Sequence, residues 1–249
     1  MKLNNLNKFY LMMAFCVILF SIYRTLMYKS WERYYYDSTM TAPATYPIHV
    51  RECSFLTGDE DDDAYVRYER VNQHISQWGD DGDFLELFDK SLLPKALAIS
   101  YFSYRDKNFY KDTVKMPTEK IKALFKQAIK NNNTEKYYSS RGDFKGLNFT
   151  IGIANDGQLL VWLRGINLEQ LILKTKLKPT QPKPDDMYYE KPLPRAAYFK
   201  YAFEGLDDSL KVKIDNGFDA KANYADSATH YLERNRELWK YQKENGIID

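Results

Sequence analysis

The chain has 249 residues, 44% of them hydrophobic, with 36 Lys+Arg against 34 Asp+Glu, which excludes disordered and low-complexity classes. Nine prolines and eleven glycines exclude collagen-like chains, and two cysteines exclude a disulfide scaffold or a four-thiolate metal site. Residues 1–33 hold five of the 36 bases and one of the 34 acids, so the remainder carries 31 against 33, unlike a basic nucleic-acid-binding domain.

The first element is an uncharged run from Phe9 to Tyr23, flanked by Lys8 and Arg24. Its apolar side chains include Phe9, Leu11, Phe15, Val17, Ile18, Leu19, Phe20 and Ile22. Thr25-Leu26-Met27 extends it, and Lys8 and Arg24 are long enough to snorkel, so Asn7 to Tyr28 reads as a single span held in membrane lipid. Tyr23, Tyr28, Trp31 and Tyr34 to Tyr36 make an aromatic belt after it. A cleaved leader needs a small-x-small exit site, and Tyr23-Arg24-Thr25 fits that badly. Lipidation needs a small residue before the cysteine, and Cys16 follows Phe15. An uncleaved signal anchor fits best. Lysines before the run and Arg24, Lys29 and Arg33 after it leave the orientation unfixed by charge.

Residues 1–33 are therefore read as anchor and flanks, 34–45 as a connector, and 46–249 as one domain. Tyr46–Phe55 opens it with a strand. Gly58 to Asp63 is an acidic loop, Tyr65–Trp78 a helix or irregular segment, and Trp78 to Asp83 turn-rich. Leu97–Tyr104 and Phe109–Lys115 read as strands about a turn. Pro117 opens a helix with Ile121, Leu124, Phe125, Ala128 and Ile129 on one stripe, ended by Asn131-Asn132-Asn133. Asn148–Ala154 and Gln158–Arg164 flank Asn155-Asp156-Gly157, a strong hairpin signal. Leu168–Leu177 adds a strand with Leu171, Leu173, Thr175 and Leu177 on one side. The proline-rich stretch to Pro194 is a linker or crossing loop, Ala197–Phe203 a short strand, and Asp219–Asn245 one long or two shorter helices. The pattern predicts an α+β domain: an antiparallel sheet with helices on one side.

No nucleophile elbow, His-Glu-x-x-His or phosphate loop is present. His49, His74 and His230 are the only imidazole bases, so an envelope hydrolase would have to gather them in space with an acid and a nucleophile. His49 and Cys53 have a spacing for a shared metal, but packing is the simpler reading, and no metal or cofactor is expected. From Glu52 to Asp89 there are 12 acids against Arg67 and Arg70, without the alternating pattern of a calcium loop; a solvated acidic face fits better. From Tyr104 to Lys145, 11 bases face 5 acids; the lysines of the Pro117 helix are its wet side or, second, a contact for anionic lipid. The 21 tyrosines exceed what one small core needs, and exposed Tyr and Trp favour interfaces, which points to a binding protein.

Tyr46-Pro47-Ile48-His49-Val50, the run from Leu92 to Ser103, Phe109-Tyr110 with the following helix, and above all Gly157-Gln158-Leu159-Leu160-Val161-Trp162-Leu163-Arg164-Gly165 resemble the bacterial domain-of-unknown-function 2931 family. The tail from Leu238 to Ile247 looks similar too. The resemblance, from about Tyr46 to Asp249, implies a Gram-negative envelope protein, often lipidated, associated with type VI secretion lipase effectors. It implies an immunity or accessory role and carries over no catalytic residue. The expectation is a non-enzymatic domain on the periplasmic side of the inner membrane, binding through Tyr101, Tyr104, Tyr110, Trp162, Arg164, Asp61, Asp62 and Asp63. Its partners would be membrane lipid and a secreted lipase effector, not nucleic acid. A structural envelope protein without a toxin partner is the other non-enzymatic reading.

Overall fold

A computed structural model describes residues 4–58, 64–82, 89–137, 142 and 144–248. It divides into two units, residues 1–33 and 34–249. The first is dominated by helix α1 (Asn5–Tyr28), with no buried residue. The Asn4 side chain caps its start by accepting from the Asn7 N–H at 2.8 Å, and Lys29, left-handed at φ 48°, ends it. Its 24 residues span about 36 Å at about 1.5 Å each, enough to cross a hydrocarbon core. The segment Asn5–Glu32 has a mean hydropathy of 1.8 in its most apolar window.

In chain order the remaining elements are β1 (Arg33–Tyr34), β2 (Tyr36–Thr41), β3 (Ile48–Leu56), β4 (Ala64–Tyr65), α2 (Glu69–Asn72), β5 (Ser91–Leu92), β6 (Ala96–Ser103), β7 (Phe109–Lys115) and α3 (Thr118–Lys130). There follow β8 (Glu135–Tyr137), β9 (Phe144–Ile153), β10 (Gln158–Gly165), β11 (Leu168–Lys176), β12 (Pro179–Thr180), β13 (Tyr188–Tyr189), β14 (Lys191–Pro192), α4 (Arg195–Ala202), α5 (Asp208–Asp215) and α6 (Tyr231–Glu244). The α+β class is as expected, but ten of the strands form two facing five-stranded sheets, with β1 on β5 and β13 on β14 as separate two-stranded pairs. One runs β11-β10-β9-β2 with β8 on β9; the other runs β12-β7-β6-β3-β4. Within these two sheets the strand pairs are antiparallel except β2, which lies parallel to β9.

The core lies between the sheets. Met40, Phe149, Ile151 and Val161 from one, and Val50, Phe55, Leu97 and Ile99 from the other, form one buried cluster. The Phe55 and Phe149 rings meet across it at 4.9 Å. Ile121, Phe125 and Ala128 of α3 join it, at the i, i+4, i+7 spacing of one helix face. The helices are not confined to one side. Phe102 and Phe109, on the outer face of the second sheet, pack under Tyr198 of α4 and Ile214 of α5. On the outer face of the first, Leu160 and Trp162 pack with Trp78 and Ala225, and Ile166 with Tyr231 and Trp239 of α6.

The β9–β10 hairpin forms as predicted, with Asp156 at φ 57° and Gly157 at φ 76°. A Cβ at Gly157 would sit 2.6 Å from the Tyr110 ring, so glycine is needed for space as well as conformation.

Four expectations are corrected. Tyr36–Thr41 is a fully buried strand, not a connector. Its polar side chains find partners inside: Ser38 donates to the Tyr65 carbonyl at 3.0 Å, Thr39 to that of Asp81 at 3.2 Å, and Thr41 to that of Gln77. Residues 197–203 lie in α4 and its cap; Tyr198 and Ala202, four apart, share its buried face after Pro194. A bulge between Val161 and Trp162 shifts the pairing with β11, so Leu171 packs on the outer face while Leu173 and Leu177 pack inward. Within 219–245 only α6 is α-helical, preceded by a short 3-10 turn at Tyr224–Asp226.

Candidate functional site

The aromatic residues expected to bind a partner are inside. Tyr101 and Tyr110 stack at 5.0 Å beneath the sheet faces, and Tyr104 and Trp162 are buried as well. Tyrosine count alone does not separate interior from exterior. A tyrosine ring packs a core as phenylalanine does; the Tyr110 hydroxyl donates to Asp106, 2.5 Å away, and the buried Tyr101 hydroxyl has no partner among the described residues. Asp61, Asp62 and Asp63 lie outside the described residues. Asp81, from the same acidic stretch, is no solvated face: its carboxylate is engaged by Arg164.

Arg164 is fully buried, at 0% exposure. Strand β10 carries it on the outer face, where its Nη1 donates to Asp81 Oδ1 at 2.8 Å, the Gly79 carbonyl at 3.1 Å and Thr150 Oγ1 at 3.2 Å. Nε and Nη2 share Glu169 Oε1 at 3.0 and 2.8 Å, and the Tyr231 ring lies 4.5 Å away. Thr229 adds a bond to Glu169 at 2.5 Å, and Asn235 of α6 one to Asp81 at 3.1 Å. Burial raises the Asp81 pKa against the pull of Arg164. Beside this cluster, Tyr231 donates to Glu135 at 2.8 Å, and burial pushes the Glu135 carboxyl up to about 7. The arrangement joins β10, β11, β8 and α6. It holds the fold: the guanidinium is fully buried and each of its three nitrogens is engaged inside the protein.

The aromatic surface that is available lies on the other outer face. Tyr65 pairs with Tyr68 at 5.3 Å, and Tyr189 with Tyr201 at 4.1 Å. Tyr65, Tyr188 and Tyr189 are each about half exposed, at 53%, 49% and 47%. Between the pairs sits Arg51, the extra residue of a bulge in β3, with its guanidinium 5.3 Å from the Tyr198 ring. The Asn72 side chain fixes this bulge: its oxygen accepts from the Val50 N–H at 2.7 Å and its amide donates to the Val50 carbonyl at 2.9 Å. The proline-rich stretch thus does more than link, since it carries the Tyr188–Tyr189 hairpin. Tyr188, Tyr189, Tyr198 and Tyr201 belong to the tyrosine excess visible in the sequence; Arg51 gives no sequence signal, because the bulge that presents it depends on Asn72.

His49 and His74 meet below this band, where α4 ends. His49 lies 6.4 Å, and His74 5.6 Å, from the Phe203 ring. Burial, with Arg51 and His74 beside it, takes the His49 pKa down to about 4, and burial lowers His74 too. Among the described residues, no carboxylate is one of the groups acting on either ring. His230 is elsewhere, at the start of α6, with its Nδ1 2.7 Å from Glu233. Cys53 is buried with its thiol pKa raised, away from any thiolate role. Among the described residues no group of three His, Cys, Asp or Glu side chains is placed to hold a metal.

The anchor residues Phe9, Leu11, Phe15, Val17, Ile18, Leu19, Phe20 and Ile22 all lie in α1 and are 49–64% exposed within this chain. No curated protein and no solved structure matches the chain. A family model described as protein of unknown function (DUF2931) matches residues 24–229. The match begins before the expected start at Tyr46 and stops short of α6, so the tail that looked familial lies outside it.

Proposed function

The chain belongs to the DUF2931 family, and from that premise we propose that it is a membrane-anchored, non-enzymatic binding protein whose folded domain stands on the periplasmic side of a bacterial inner membrane. The observation that carries the reading is α1: 24 residues, uncharged from Phe9 to Tyr23, with no side chain buried in the protein, joined to a domain that has its own core. A helix of that kind is stable where lipid covers it. The family resemblance supports the finer role, immunity or assistance to a type VI secretion lipase effector. The Tyr65–Tyr68 and Tyr189–Tyr201 band around Arg51 is the surface we assign to the partner, because it offers rigid, half-exposed aromatic anchors beside a cation.

Co-purification of the full chain with a neighbouring lipase effector, paired with rescue of growth in cells expressing that effector, tests the role. Capture and rescue by the natural chain, both weakened by Tyr189→Ala with Arg51→Ala, is the expected outcome. A membrane-held chain that neither captures nor rescues removes the immunity role and leaves a structural envelope protein. Hydrolysis of a lipid or peptide by the purified chain removes the non-enzymatic reading.

A further inference from the structure

Helix α3 carries Lys120, Lys122, Lys126 and Lys130 against a single acid, Glu119, in a domain whose acids otherwise slightly outnumber its bases. Lys122, Lys126, Ile129 and Lys130 follow at i, i+4, i+7 and i+8 and so form one stripe. Lys126 and Lys130 are exposed, and Ile129 between them is 54% exposed, although its apolar character would suit the core. Among the described residues Lys122, Lys126 and Lys130 enter no ion pair, in a domain where Lys107, Lys111, Lys174 and Lys211 each reach an aspartate. An unpaired lysine stripe with one apolar residue in it is the composition of a surface that meets a bilayer interface.

The domain's own packing places this helix near the point where the chain arrives from α1. Tyr34 is the first residue of the second unit, and its ring lies 4.9 Å from Phe125, on the inner face of α3. Tyr36 meets the same ring at 6.5 Å. Only residues 30–33 separate Tyr34 from Lys29, the cap of α1. Five steps of extended chain reach about 17 Å at most, at roughly 3.4 Å each. The bilayer that holds α1 is thus within about 17 Å of Tyr34 by covalent connection alone, and a helix with its side chains is about 10–12 Å across.

We propose that the Lys122–Lys126–Lys130 stripe of α3 docks on the anionic lipid headgroups of the membrane that α1 spans, seating the domain against the bilayer with Ile129 at the headgroup level. The inference rests on the anchor reading and adds a second, electrostatic contact to it. A weak electrostatic contact suffices here, because the short tether to the inserted helix keeps the lysines at high local concentration over the lipid. It also gives the domain a preferred orientation. The Arg51 band lies on the outer face of the sheet carrying β3 and β6, whereas α3 packs on β9 and β11 of the other sheet, so lipid docking and partner binding use different surfaces.

The test uses the full chain in lipid nanodiscs, either wholly zwitterionic or containing a third of phosphatidylglycerol. Each lysine's rate of acylation by a small amine-reactive reagent is read by mass spectrometry, with the exposed Lys213 and Lys221 as internal references. With anionic lipid, Lys126 and Lys130 are expected to slow by about threefold or more relative to the references, and about 0.5 M salt should abolish the difference. In the variant Lys122→Gln, Lys126→Gln and Lys130→Gln, amide exchange of α3 should no longer depend on lipid charge, while that of β6, in the sheet interior, stays as in the natural chain. Equal lysine rates in both lipids, with the chain incorporated, overturn the docking and leave the anchor standing. A chain that enters neither kind of disc overturns both.

Discussion

Arg164 sits at 0% exposure with its three nitrogens divided among two carboxylates, a hydroxyl and the backbone. Desolvating a guanidinium costs several kcal/mol, and that cost is offset only while every partner stays in place. Arg164→Met leaves the Glu169 charge without its cation and Asp81 with only Arg234, 3.8 Å away, and should lower unfolding free energy by about 3–5 kcal/mol in urea titrations of the detergent-solubilised chain. Arg164→Lys should recover little, because an ammonium cannot bridge Glu169 and Asp81 as the planar fork does. Glu135 makes a different prediction. Its carboxyl titrates near 7 in the fold against an ordinary 4.5, so between those values the native state holds a proton that the unfolded chain has released. Stability from this group is therefore present below pH 4.5 and falls as pH rises toward 7, by up to about 3 kcal/mol. Glu135→Gln should flatten that limb of the pH–stability curve; a variant that still loses stability over the same window assigns the effect to another group.

At the scale of elements, the docking of α4 depends on His49 and His74 staying neutral. Both imidazoles lie against its last turn and its cap, His49 beside the Tyr201 and Phe203 rings and His74 stacked on Phe203. The His49 pKa is depressed to about 4 from an ordinary 6.5, so its contribution is complete above pH 6.5 and is lost as pH falls toward 4. Acid should loosen α4 first, seen as early amide exchange at Tyr198 to Ala202, and His49→Gln should move that onset to lower pH. An unchanged onset would mean that the aromatic packing on Phe102 and Phe203, not imidazole charge, sets the acid limit. Elements with a single clear period were legible in the sequence: α3 from its stripe, the β9–β10 hairpin from Asp156-Gly157, and α1 from its uncharged run. Strand β2 was not, because Tyr-Asp-Ser-Thr-Met-Thr reads as polar loop until Tyr65, Asp81, Gln77 and Arg67 supply the bonds that allow its burial. Helix α4 was not, because its aromatic residues satisfy a strand pattern as well as a helical one.

At the scale of the whole molecule, the two-sheet arrangement escaped the sequence for a related reason. Strand β9 is buried from Gly146 to Ile153 without alternation, since one face meets the opposite sheet and the other lies under Trp78, Asp81, Trp162 and Arg164. With no polar side to read, nothing in the pattern says how many layers lie above it. The candidate site was legible only as an excess of tyrosine; which tyrosines are interior is decided by the packing of α4 and α5 on the second sheet, which buries Tyr104 and, on α4 itself, Tyr198 while leaving Tyr188 and Tyr189 at the surface. The account as a whole depends on α1 residing in lipid with the uncleaved domain attached. Alkaline carbonate extraction of isolated membranes, followed by mass spectrometry of the chain's N-terminal peptide, reads this directly. The account predicts that the chain stays in the membrane pellet with residues 9–23 still joined to the domain; recovery of the domain in the supernatant, intact or without those residues, would contradict it.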